Sequence, residues 1–131
     1  MFHTAGRDWA ASALFDRSGA RAAAADYIGV TANATAPAAG DTTLTGEITT
    51  AGGGLARKAA AYAHTTGAAT STLTATFTAN ANDALPVTLG KAGVFNAASG
   101  GAMPFSSLLS PAAPVNAIGD AVTITVTVTK S

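Results

Sequence analysis

The fold is decided by two stretches in which threonines alternate with apolar residues, Ser71–Ala79 (STLTATFTA) and Ala121–Thr129 (AVTITVTVT). Strict period-two alternation of β-branched residues is typical of strands with one buried face and one solvated face. Both stretches are therefore expected to lie in sheets. The side chains predicted to be buried are Leu73, Phe77, Ile124 and Val126.

Shorter strand signals surround these two stretches, separated by turn residues at intervals of roughly 8–12 residues. Seven or eight short strands at this spacing predict an all-β fold, a single-domain β-sandwich or jelly-roll-like barrel. The further predicted strand segments are Tyr27–Thr31, Leu44–Thr50 (a short strand or strand edge), Ala56–Thr66, Pro86–Leu89, Val94–Asn96 and Met103–Leu109.

Two of these segments need comment. Alanine content favours a helix over Ala56–Thr66, but its alternation and its Thr- and Gly-rich neighbours favour a strand, which we prefer. Pro104 directs the Met103–Leu109 segment to a sheet edge or a bulge. Pro111, Pro114 and a turn at Gly119-Asp120 are expected to separate that segment from the last strand.

The amino-terminal region differs in character from the rest of the chain. Phe2, Trp9 and Phe15 are three of the eight aromatic residues. A short helix is predicted over Trp9–Phe15 with Asp8 as its cap. A turn is predicted next, over Asp16–Gly19, and then a helical alanine run over Ala20–Ala25. We therefore expect an N-terminal arm or short helix over residues 1–25 and a sandwich domain over 26–131.

Composition excludes several classes of function. The 131 residues contain no Cys, and seven basic residues balance seven acidic ones. The chain therefore has no disulfide and no thiolate site, and its charge argues against direct contact with nucleic acid. No apolar run is long enough to span a membrane. Met1–Phe15 is not a convincing secretory signal, because it includes Arg7 and Asp8 and lacks an apolar core.

Candidate catalytic residues are few and scattered. His3 and His64 lie 61 positions apart and form no metal-ligand spacing. Asp41 and Glu47 are the most plausible carboxylate pair, but acidic residues in such turn-like stretches commonly close turns. We therefore expect no enzyme activity, no metal and no cofactor.

The glycine-rich stretch Gly52–Lys58 ends in two cations but does not match a phosphate-binding loop. Ala59 stands where that motif needs Ser or Thr. A loop that ends in two positively charged residues is the better interpretation. Arg57 and Lys58 are therefore candidate contacts for a partner.

Two features favour assembly. The stretches 59–82 and 92–119 contain no Asp, Glu, Lys or Arg. On a surface exposed to solvent, about a quarter of the residues are normally charged. Large apolar residues are also scarce, so burial offsets chain entropy poorly. Contact with copies of the chain or with partners would supply the missing stability.

The aromatic arm has two interpretations. Phe2, Trp9 and Phe15 could dock the protein on a neighbouring chain, because aromatic side chains dominate interface energetics. Alternatively, the segment folds back and plugs the open end of its own sandwich.

Several stretches resemble the small virion structural proteins of tailed bacteriophages. They are Met1–Gly6 followed by Trp9, Asp26–Asn33, Gly52–Arg57, Gly93–Gly101, and the closing Gly119-Asp120 with the Thr/Val strand. The resemblance covers nearly the whole chain and brings no catalytic or metal residue.

This resemblance implies a virion component. The favoured role is a capsid decoration or cement protein, made in the host cytoplasm, that binds the major capsid protein on the head surface as a homo-oligomer, with a trimer favoured. The alternative is a tail or fibre component that binds a receptor or glycan. Neither role requires direct contact with nucleic acid or with a membrane.

Overall fold

The computed structural model describes residues 1–15, 18 and 23–129, and places them in two antiparallel sheets and one helix. This confirms the predicted all-β sandwich, since the strands form two separate sheets. The helix α1 is Thr4–Phe15. The strands are β1 (Tyr27–Thr31), β2 (Lys58–Ala59), β3 (Ala61–His64), β4 (Thr70–Thr78), β5 (Val87–Phe95), β6 (Phe105–Val115) and β7 (Ala121–Thr129).

The first sheet has the strand order β2-β1-β5-β6, and the second has the order β3-β4-β7. The two stretches that decide the fold are neighbours in the second sheet. They pair without a register shift, from Thr70 opposite Thr129 to Thr78 opposite Ala121. Both therefore direct their apolar residues to the same face.

The core lies between the two sheets. Leu73, Phe77 and Ile124 are buried as predicted, and Val126 is partly buried against the same cluster. The first sheet meets them with side chains of β1, β5 and β6. The buried members from that sheet are Ile28, Val30, Leu89, Ala92, Val94 and Val115.

The outer face of the first sheet is also covered, by the segment that follows β1. The Thr31 hydroxyl donates to the Thr45 carbonyl (2.8 Å), and Lys91 Nζ donates to the Thr35 carbonyl (2.9 Å). The predicted strand Leu44–Thr50 is wrong, because this segment contributes only an isolated bridge between Thr31 and Glu47. It serves as a cover, with Leu44 packed on Phe95 and Met103.

The prolines of β6 do not end the strand. The predicted separation by Pro111 and Pro114 is wrong, because β6 continues through both to Val115. The predicted turn at Gly119-Asp120 does lie between β6 and β7. β6 lies at a sheet edge, where proline's missing N–H is tolerated, so the edge position predicted from Pro104 is correct. Likewise, β5 is longer than the predicted Pro86–Leu89 and includes the Val94-Phe95 arm.

Local boundaries differ in three other places. The predicted strand Ala56–Thr66 is divided into β2 and β3 at Ala60, whose N–H donates to the Asp26 carbonyl (2.7 Å). The helix begins at Thr4, so Asp8 lies inside it and is not its cap. Ala23–Ala25 are not helical; 20–22 and most of the predicted turn, residues 16, 17 and 19, lie outside the described residues.

Candidate interaction surface

The described residues contain no grouping of three His, Cys, Asp or Glu side chains that could hold a metal. The Asp41 carboxylate accepts the Ala38 N–H (2.9 Å), whereas Glu47 binds Arg57. These two carboxylates therefore serve separate local structures. His64 is exposed on β3, and its Nδ1 lies 2.9 Å from the Thr70 carbonyl oxygen.

Arg57 and Glu47 form an ion pair on the outer face of the first sheet. Arg57 Nε and Nη2 each donate to one Glu47 oxygen at 2.7 Å, and both side chains are about nine-tenths buried. The guanidinium also lies 3.4 Å from the centroid of the Phe95 ring. Its Nη1 donates to the carbonyls of Ala97 (2.9 Å) and Gly100 (2.8 Å). We call these five residues the Arg57 cluster.

The donors of Arg57 point into the protein, because a buried guanidinium needs acceptors on every side. The partner contact predicted for Arg57 stays a prediction. Three separate stretches of the chain meet here, around Gly29, Arg57 and Phe95. A Cβ at Gly29 would collide with the Glu47 carboxylate, so glycine leaves room for the ion pair.

Asp83 holds the loop that leads into Arg57. Its carboxylate accepts three backbone N–H groups, from Asn80 (2.8 Å), Gly54 (3.0 Å) and Leu55 (3.2 Å). Burial raises the pKa of this carboxyl, but the three donors and nearby Lys58 lower it more, so the pKa lies below its usual value of 3.8. The glycine-rich stretch is therefore a pinned structural loop.

Asp83→Asn is expected to destabilise the protein by about 1 kcal/mol at neutral pH, since the carboxylate is only half-buried and is partly screened by solvent. A lowered native pKa contributes stability that is fully present above the unfolded value of 3.8 and is lost as pH falls through the native pKa. The difference from the unsubstituted chain should therefore close in acid. Urea unfolding at neutral pH and below pH 3.8 measures it. An equal loss of stability for Asp83→Asn at both pH values would contradict the assignment.

Lys58, the second cation of the loop, is partly buried on β2. Its Nζ donates to the Thr76 carbonyl (3.1 Å) and lies 5.5 Å from the centroid of the Phe77 ring. These contacts hold Lys58 against the edge of the second sheet. The partner contact predicted for Lys58 stays a prediction.

The amino-terminal segment is tied to the sandwich by His3. The ring is fully buried, and its Nδ1 lies 2.9 Å from the Ala38 carbonyl oxygen. A carbonyl can only accept, so Nδ1 donates, and Nε2 accepts from the Ser106 hydroxyl at 2.6 Å. The His3 N–H also donates to the Pro104 carbonyl (2.8 Å). This segment therefore folds back on its own domain, as the plug interpretation expected.

Two of the three N-terminal aromatics pack on Phe105, at the start of β6. The Phe2 ring lies 4.9 Å from the Phe105 ring, and the Trp9 ring lies 6.3 Å from it in a T-shaped contact. Trp9 Nε1 also donates to the Ala23 carbonyl (2.8 Å). Phe105 had no signal of its own in the sequence, because the strand contact that places it spans more than a hundred residues.

An apolar pocket of about 720 Å³ lies between α1 and the end of the sandwich. Trp9 and Phe105 line one side, Leu73 and Val128 come from the second sheet, and the exposed ring of Tyr62 stands at the rim. The helix therefore does not fill the space beneath it. Nothing in the spacing of these residues in the sequence predicted this pocket.

The last turn of α1 carries the most exposed large apolar side chains among the described residues. Phe15 is 80% exposed and Leu14 is 70% exposed. Phe2 and Tyr62 are also exposed large apolar residues, and both line the pocket. We call Phe2, Leu14, Phe15 and Tyr62 the apolar rim. Of the residues predicted to bind a partner, Phe2 and Phe15 belong to it, and Trp9 lies behind it.

Comparison with known proteins finds no relative: no family model, no curated protein and no solved structure matches the chain. Among the helical residues the structure describes, no helix is long and apolar enough to cross a membrane. The chemistry of the chain is therefore inferred from its own residues.

Proposed function

We propose that this chain is a virion structural protein, a decoration or cement protein that binds the major capsid protein of a tailed bacteriophage and stabilises the assembled head. The observation that carries this proposal is the apolar rim, with Phe15 80% exposed. Exposed large apolar residues of this kind mark interaction sites on soluble domains. The virion context is supported by the resemblance described above.

The proposed mechanism is mass action. A subunit that binds only the assembled shell lowers the free energy of that state and leaves the free capsid subunits unaffected. Such a role needs a stable domain, a surface that contacts a neighbour, and no reacting groups. The Arg57 cluster and the anchored amino-terminal segment supply the first requirement, and the apolar rim is proposed to supply the second.

Copy number and location in purified particles test this function. Many copies, matched to the capsomers and placed on the head, are the expected result. Their absence from the particle would refute the proposal. Quantitative mass spectrometry gives the number, and electron microscopy of the particles gives the place. The same images would show whether the copies are arranged as the trimers that the resemblance implies.

Replacing both Leu14 and Phe15 with serine is expected to weaken attachment to particles about 30-fold, because removal of a central apolar anchor costs about 2 kcal/mol of binding free energy. Thermal stability should hardly change, since substitutions at exposed positions stay within about 0.5 kcal/mol. A co-sedimentation titration on undecorated particles measures the binding. Ile118→Ser, at another exposed apolar position outside the rim, is the matched control. Full occupancy by the double variant would refute docking through this surface.

A tail or fibre component with a glycan-binding role is the second candidate. The pocket beneath α1 favours it, because Trp9 and Tyr62 face a space large enough for a sugar and aromatic rings combine an apolar face with a polar tip. A few copies at one vertex, together with quenching of Trp9 fluorescence by host glycans, would support this role against the first.

A further inference from the structure

The outer edge of β7 is free along its length in the described part of the chain. β7 pairs only with β4. A groove of about 360 Å³ separates it from β6, the facing edge strand of the other sheet. Met1 and Phe2 line part of this groove, but no described strand pairs with the outer edge of β7.

The backbone groups that face this edge belong to Ala121 and to the threonines of β7. The Ala79 N–H donates to the Asp120 carbonyl (2.9 Å), so this opposed pair is hydrogen-bonded. Hydrogen-bonded pairs alternate along an antiparallel ladder, and the register continues unbroken into β7. The valines and Ile124 therefore bond to β4, and the alternate residues direct N–H and C=O outward. Those residues are Ala121, Thr123, Thr125, Thr127 and Thr129.

This edge lacks the features that keep edge strands apart. Natural edges carry Pro, Lys, bulges or short strands. β7 has nine residues, with no proline, glycine or charge. The other long edge differs, because Met1–His3 pair with the start of β6 and Pro111 and Pro114 follow further along it. The described edge of β3 has only four residues.

The β7 sequence is complementary to itself in the antiparallel direction. With Thr125 opposite its own copy, Thr123 meets Thr127 and Ile124 meets Val126. Thr–Thr and β-branched cross-strand pairs are favourable. The pattern of side chains therefore fits one occupant, a second copy of β7.

We propose that two copies of this chain pair antiparallel through β7 about a two-fold axis at Thr125, which joins their second sheets into one six-stranded sheet. Each copy contributes five N–H and five C=O groups that have no other backbone partner among the described residues. The pairing closes on itself, so it gives a dimer and not the trimer expected from the resemblance. It is independent of the virion role proposed above.

Sedimentation velocity and amide exchange by NMR test the pairing. The unsubstituted chain should sediment as a dimer of two 12.7 kDa subunits. Its Thr123, Thr125 and Thr127 amides should be as protected as those of the neighbouring valines. Thr125→Lys should raise the dimer dissociation constant at least about tenfold, because like charges directly opposite each other are destabilising. Only the threonine amides should then lose protection.

A charge exchange separates loss of pairing from loss of folding. Thr125→Lys and Thr125→Glu should each be monomeric, and an equimolar mixture should form the heterodimer. Thr74→Lys is the matched control, because Thr74 lies directly opposite Thr125 on β4, away from the free edge, and it should leave the dimer intact. A native chain that is monomeric or trimeric would overturn the proposal. So would a mixture that fails to restore pairing, or equal weakening by Thr74→Lys.

Discussion

Replacing Arg57 with methionine is expected to lower the free energy of unfolding by about 3–5 kcal/mol, because removing one member of a buried ion pair leaves the other charge unpaired. Glu47 is about nine-tenths buried and receives both of its 2.7 Å hydrogen bonds from Arg57. The carbonyls of Ala97 and Gly100 lose their donor as well. Domains of this size have only about 5–15 kcal/mol to lose. Urea unfolding followed by circular dichroism measures the change.

A second substitution identifies the cause. Replacing both members of a buried pair with apolar residues is often nearly neutral. The double variant Arg57→Met with Glu47→Leu should therefore recover most of the stability lost by Arg57→Met alone. A loss below about 1 kcal/mol for the single variant, the size found for exposed pairs, would contradict a buried structural role for Arg57.

Phe77→Ala is expected to destabilise the domain by about 3–5 kcal/mol, since it removes a large side chain from the centre of the core and leaves a cavity. Phe77 is fully buried on β4, where it meets side chains from both sheets. Thermal unfolding monitored by circular dichroism should show a much lower midpoint. The neighbouring Thr78→Ala, on the exposed face of the same strand, should shift the midpoint little. Similar shifts for the two variants would mean that the faces of β4 are assigned wrongly.

Strict alternation was the most reliable signal in this chain. β7 has the predicted bounds and β4 differs by one residue at each end, because period-two burial leaves no other arrangement for nine residues. The cover segment that contains Leu44 had no such constraint. This segment is held on the outer face of the first sheet by individual hydrogen bonds, such as the one from the Thr31 hydroxyl to the Thr45 carbonyl. The local sequence pattern cannot predict such contacts.

The interaction surface was only partly predictable. The aromatic density of the amino-terminal segment identified Phe2, Trp9 and Phe15, but sequence alone could not divide them into packed and exposed residues. That division depends on Phe105, which lies far along the chain. The internal contacts of Arg57 were not predicted, because its acceptors come from two separate segments, Glu47 and the loop with Ala97 and Gly100. The presence of a charged residue in a glycine-rich stretch does not reveal whether its side chain faces solvent or a buried carboxylate.

The anchoring of His3 on Ser106 has a consequence for synthesis on the ribosome. The two residues are 103 positions apart, and ribosomes add about 5–20 residues per second. Phe2 and Trp9 therefore emerge roughly 5–20 s before their packing partner exists. During this interval the nascent chain displays an unburied aromatic segment, which is the kind of surface that chaperones bind. The order of translation thus makes the segment around His3, which is synthesised about a hundred residues before its partners, among the last to reach its native position.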